Sequence, residues 1–174
     1  DWHLCCNLVP LDNDGEEGAS MSLELAMGEA GLGDQGLLAW AHWMDGRLVA
    51  LGRGTRLRVP EVNFSGNQIG IEGIRVLCAL LEKHAVHCDA LRLDDNFLDD
   101  ECMREVTRFL TSFDEAPAHE VSIAGNLVSA NSVGWLVSCL AMHPAYPIWH
   151  EETERFWPMR LSLGAGGPGG GGPT

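Results

Sequence analysis

Basic residues are scarce in this chain. Lys and Arg together number 11 against 25 Asp and Glu, a formal net charge of −14 over 174 residues. A surface this acidic repels phosphate backbones, so no nucleic acid is expected as a partner, and a protein with a basic face is favoured. Long apolar runs are also missing. No stretch of 18 apolar residues occurs, so neither a transmembrane span nor a membrane partner is expected. Asp1-Trp2-His3 does not open a basic segment followed by an apolar one, so no signal peptide is expected; a fragment of a longer protein and a short array are both open. The six cysteines (Cys5, Cys6, Cys78, Cys88, Cys102 and Cys139) lack a regular framework, which points to reduced thiols and a cytoplasmic or nuclear setting. A GxSxG elbow is absent and no protease signature surrounds any Cys, so nothing marks an enzyme.

What the sequence does have is internal repetition. Val62-Asn63-Phe64-Ser65-Gly66-Asn67-Gln68-Ile69, Leu91-Arg92-Leu93-Asp94-Asp95-Asn96-Phe97-Leu98 and Val121-Ser122-Ile123-Ala124-Gly125-Asn126-Leu127-Val128 superimpose without gaps. Their starts are 29 and 30 residues apart. Apolar residues hold the first, third and eighth positions, and Asn holds the sixth. Downstream, Ile74, Met103 and Val133 align, as do Leu77, Val106 and Leu136, and Leu81, Leu110 and Leu140. Gly73, Cys102 and Ser132, all small, share another slot.

The period changes inside each copy. Alternation by two at the start predicts a strand burying one face, and the later three- and four-residue steps predict a helix burying one stripe. Gly70, Asp99 and Ser129 stand where the helices should be capped. A carboxamide carries donors and an acceptor, so Asn67, Asn96 and Asn126 are expected to form a buried ladder that satisfies backbone groups where the chain turns inward.

This spacing resembles the leucine-rich-repeat pattern LxLxxNxL, with the unit length of the ribonuclease-inhibitor-like class, over roughly residues 22 to 166. The resemblance implies an α/β solenoid, a horseshoe segment of about five parallel strands with helices outside. Residues 1–21 are expected to be a flexible acidic leader, and 167–174 a Gly/Pro-rich linker or tail.

Two weaker copies flank the good ones. Leu25, Met27, Leu32, Gly33, Gly36 and Leu37 align with Val62, Phe64, Ile69, Gly70, Gly73 and Ile74, but Ala30 takes the Asn slot. Leu161 and Leu163 begin a fifth strand, with Gly166 in that slot. Spacing stretches at both ends, which predicts insertions near 45–58 and 145–158, the first read as a small hairpin.

Two motifs compete with the repeat for explanation. Gly31-Leu32-Gly33-Asp34-Gln35-Gly36 is a literal GxGxxG, yet its glycines already align with Gly70 and Gly73, and no acidic residue follows the next strand. His84, His87 and Cys88, with His119 farther on, provide only one close pair of the two that zinc usually needs. No cofactor and no metal are therefore expected.

By alternation, the open strand face carries Glu61, Asn63, Arg92, Asp94, Glu120 and Ser122, while the second insertion concentrates aromatics including Trp149 and Trp157. These eight residues are the expected contacts of a non-enzymatic protein–protein interaction scaffold. Two alternatives follow from the resemblance and the ends: a GTPase-activating regulator of the Ran type, or a targeting or regulatory domain of a larger enzyme.

Overall fold

Alternation in the sequence becomes alternation in burial. The structure, a computed structural model, describes residues 6–11, 20–51, 56–114, 117–150 and 154–163. Its elements in chain order are β1 (Cys6–Leu11), β2 (Ser20–Ala26), α1 (Asp34–Ala50), β3 (Arg56–Asn63), α2 (Ile71–Lys83), β4 (His87–Arg92), α3 (Asp100–Leu110), β5 (Ala118–Ser122), α4 (Ala130–Met142), β6 (Ile148–His150), β7 (Arg155–Trp157) and β8 (Arg160–Ser162). Strands β2, β3, β4, β5 and β8 pair in parallel, in that order. The chain is thus α/β, with a five-stranded parallel sheet. Leu25 pairs with Val62, Val62 with Leu91, Leu91 with Val121 and Val121 with Leu161, so the aligned first positions do stack in one row.

The core lies between this sheet and a layer in which α1 packs on α2, α2 on α3 and α3 on α4. Inward residues of the strands and of the turns that follow them, Leu25, Val62, Phe64, Leu91, Leu93 and Val121, meet helix residues such as Leu37, Ile74, Leu77, Met103, Val106 and Leu136, all buried. In the shared small slot, glycine at position 73 has a steric cause. A Cβ added at Gly73 would lie 2.6 Å from Asp34 Oδ1 and 2.8 Å from Ile69.

Each Asn reaches back by one unit. Asn67 Nδ2 donates to Met27 O and Phe64 O, while its Oδ1 accepts from Leu32 N–H at 2.8 Å. Asn96 repeats this with Phe64 O, Leu93 O and Ile69 N–H, and Asn126 with Leu93 O, Ile123 O and Leu98 N–H. Phe64 O and Leu93 O therefore each accept from two consecutive carboxamides. Asn67 and Asn96 are buried as expected, but Asn126 is only half-buried. In the aligned slot of the next copy the sequence has Gly166 in place of Asn.

The residue before each slot is left-handed: Glu29, Gly66, Asp95 and Gly125 have φ of 54°, 66°, 51° and 68°. Glutamate strains such a turn where glycine does not. Glu29→Gly is expected to raise stability by about 1 kcal/mol, and Gly125→Ala to lower it by a similar amount or more. Urea unfolding midpoints of the two variants check both signs.

Carboxylates fasten the helix starts. Asp99 accepts from Glu101 and Cys102 N–H, and Asp100 accepts from the N–H and the hydroxyl of Ser129, both at 2.8 Å. The Cys102 N–H above all holds Asp99, and the Ser129 N–H holds Asp100, below the ordinary carboxylate pKa. Depressed folded-state values stabilise above the ordinary pKa, and that contribution is lost as pH falls through the folded value. The native chain should thus lose stability below about pH 4 more steeply than Asp99→Ala/Asp100→Ala, the two curves converging in acid. Thermal melts from pH 7 to 2 measure this.

Two expectations are corrected. The leader is not wholly outside the fold, because Cys6–Leu11 forms β1, antiparallel to β2 with Cys6 opposite Leu25, and the buried Trp40 indole donates to Cys6 Sγ. Ser20 and Met21 of the leader open β2, while its residues 1–5 and 12–19 lie outside the described ones, as does the tail 167–174. The first insertion is not a hairpin over residues 45–51: α1 continues to Ala50, because Leu48 extends the buried stripe of Leu37, Trp40, Ala41 and Met44. Residues 52–55 of that insertion lie outside the described ones. The hairpin occurs in the second insertion, where β6 and β7 pair antiparallel.

Candidate functional site

Parallel register brings β3, β4 and β5 side by side, and with them the residues read as contacts. Glu61 stands in the row of Ala90 and Glu120, while Asn63 stands in the row of Arg92 and Ser122. Arg92 reaches across three strands: Nε donates to Glu61 Oε2 at 2.7 Å and a terminal N–H to Glu120 Oε1 at 3.2 Å. Asn63 donates to Glu61 Oε1 and accepts from Ser65 N–H, both at 3.0 Å. Asp94 accepts from the hydroxyls of Ser122 and Ser65 and from Ala124 N–H. Three carboxylates surround one guanidinium, and the Glu61 hydrogen bond foremost raises the Arg92 pKa above its ordinary value.

Water reaches these side chains. Glu61, Arg92 and Glu120 are 41%, 35% and 28% exposed, so each ion pair adds about 1 kcal/mol or less to stability. Their effect is instead to hold a negatively charged polar surface in one arrangement. Ser122 is the exception to its expected role. It is buried, since a short side chain beside Arg92 sinks below its neighbours and donates to Asp94. It positions Asp94 and offers no open contact.

Trp149 lies apart from this network, on the β6–β7 hairpin. Its ring meets Phe156 edge-on at 4.9 Å, and the two are 51% and 63% exposed. The side chain of Trp157 lies outside the described residues. Pro147 and Pro158, at the hairpin's base, line a cavity of about 360 Å³ together with Val137, Leu140, Tyr146 and Met159. Alternation in the strands showed which side chains share the open face, but the cavity depends on how α4 meets the hairpin, which no local pattern encodes.

The competing motifs resolve into packing. Gly33 precedes α1 and bridges to Gln68, and a Cβ on Gly36 would press Leu32 at 2.9 Å. The Asp34 carboxylate accepts from Gly70 N–H at 2.7 Å. His84 faces Asp45 at 2.7 Å, His87 lies against Phe113, and the buried Cys88 thiol, its pKa pushed up to about 12 by burial, points to Pro117 O. These groups turn toward different partners, and among the described residues no three His, Cys, Asp or Glu are grouped to hold a metal ion.

Sequence reading missed one feature. The residues after the aligned Asn are Gln68, Phe97 and Leu127, and the last two are 59% and 74% exposed. Their position in the pattern was a usable signal, because two large apolar side chains occupy a slot that faces water. Compared with known proteins, the chain matches no family model, and no curated protein matches it.

Proposed function

We propose that this chain is a leucine-rich-repeat module of the ribonuclease-inhibitor-like class that binds a protein partner. The observation that supports this best is the outward sheet face, where Glu61, Asn63, Arg92, Asp94 and Glu120 are cross-linked into one polar network. Side chains held in this way lose little conformational freedom when a partner docks. Carboxylates outnumber the single guanidinium, which suits a basic partner face. The Trp149–Phe156 hairpin and the apolar cavity at its base add an aromatic anchor of the kind that dominates binding energy. The in-phase Asn bonds support the solenoid reading, because each carboxamide closes onto the preceding unit.

Quantitative crosslinking of the whole chain to its bound proteins tests the proposal. Glu120→Arg and Trp149→Ala should each reduce capture of the same specific partner by about tenfold, a loss typical of a central contact. Unchanged capture by both variants, with unchanged melting, would overturn the reading. The chain then would not bind through this face or hairpin.

A further inference from the structure

Between strand and helix the chain makes four turns, residues 27–33, 64–70, 93–99 and 123–129, and parallel stacking sets them along one edge of the sheet. Most of their apolar side chains point inward: Met27, Phe64, Ile69, Leu93 and Leu98 are buried. Phe97 and Leu127 do not. They occupy the same slot in adjacent units, where Leu127 N–H donates to Leu98 O and Phe97 N–H to Ile69 O. Neighbouring units stand about 4.8 Å apart, so the two side chains form a short apolar ridge facing water. Gln68 occupies the slot in the preceding unit and ends the ridge on that side.

The charge around this ridge selects what covers it. The four turns contain Glu29, Asp94, Asp95 and Asp99 and no Lys, Arg or His. Asp34 and Asp100 begin two of the helices that follow. The N–H donors that hold Asp99 and Asp100 favour their ionised forms, so these carboxylates keep their charge at neutral pH. A second copy of a chain carrying −14 would bring like charge to like.

We infer that the Phe97–Leu127 ridge docks a short segment of a partner protein in which an apolar or aromatic pair is flanked by Lys or Arg. The apolar pair covers the ridge, and the basic flanks meet Asp94, Asp95 and Asp99. The inference rests on the interaction-module reading but places contact on the turn edge, which adjoins the open face at Asp94.

Fluorescence anisotropy with three labelled dodecapeptides and the whole chain tests it. One peptide carries a leucine–tryptophan pair between Lys/Arg blocks, the second replaces the pair by glycine–serine, and the third replaces the basic blocks by acidic ones. The first should bind about tenfold more tightly than either control, and its affinity should fall with added salt. Phe97→Ser/Leu127→Ser should weaken it by about tenfold at an unchanged melting temperature. Glu61→Gln/Glu120→Gln on the sheet face should alter it by about twofold or less. Equal binding of the glycine–serine peptide, or full binding to the ridge variant, overturns the inference. If the first peptide is lost on the sheet-face variant while the ridge variant still binds it, this inference fails and the open-face reading stands.

Discussion

Truncating Asn67 to alanine is expected to remove about 4 kcal/mol of folding stability, more than the same change at Asn96 or Asn126. The three carboxamides share a role, but they do not leave equal damage. Loss of Asn96 strands Ile69 N–H, while Phe64 O keeps Asn67 as a donor and Leu93 O keeps Asn126. Loss of Asn67 strands both Leu32 N–H and Met27 O, because Ala30 fills the slot that could have supplied a second donor. Both groups belong to buried residues, and an orphaned buried polar group costs about 1 to 3 kcal/mol. Asn126 Oδ1 accepts from both Asn96 and Leu98 N–H, but it is half-buried, so water can replace it and Asn126→Ala should cost least. The order Asn67, Asn96, Asn126 in urea denaturation free energies is the test, and equal losses would mean that sharing of acceptors has no energetic consequence. A domain of this size has only about 5 to 15 kcal/mol in total, so the Asn67 variant should be close to unfolding at 37 °C.

Trp40→Ala should cost about 3 to 5 kcal/mol, the range for emptying a large buried site. The indole is fully buried on α1, packs edge-on to Phe64 at 4.9 Å and donates to Cys6 Sγ at 3.4 Å. It joins the outermost strand to the first consensus unit. Trp40→Phe keeps much of the volume and loses the N–H, so it should fall between the native chain and the alanine variant. Thermal unfolding gives the ranking. Amide exchange along β1 should accelerate more than exchange along β4 in both variants, because only β1 loses a direct partner. Uniform acceleration would show that Trp40 supports the whole core without a special role at this edge.

The middle of the molecule was legible from sequence because one stretch of chain carries both periods. Val62-Asn63-Phe64 alternates, Ile74, Leu77 and Leu81 step by three and four, and the change occurs at Asn67. The ends were harder for identifiable reasons. In β1, Asn7 and Pro10 interrupt the apolar pattern, and pairing with β2 rather than local propensity makes it a strand. At the end of α1, the stretched repeat spacing suggested a hairpin, but burial of Leu48 against the core outweighs the roughly 1 kcal/mol that the helical Gly46 costs. The outward face was readable to the level of which side each residue takes. Its bonding was not, since whether Arg92 meets Glu61 and Glu120 depends on register between strands 29 and 30 residues apart, and whether Ser122 is open depends on the lengths of its neighbours.

The backward reach of each carboxamide gives the molecule a direction. Asn96 completes the turn that precedes its own, and Asn126 completes the one before that strand in the same way. A chain synthesised from the amino terminus would therefore leave each bend open until the following segment emerged and closed it. Peeling from the carboxyl side would reverse the sequence, releasing one clasp at a time while everything upstream stayed fastened. Assembly on the ribosome and unravelling under force should share this polarity.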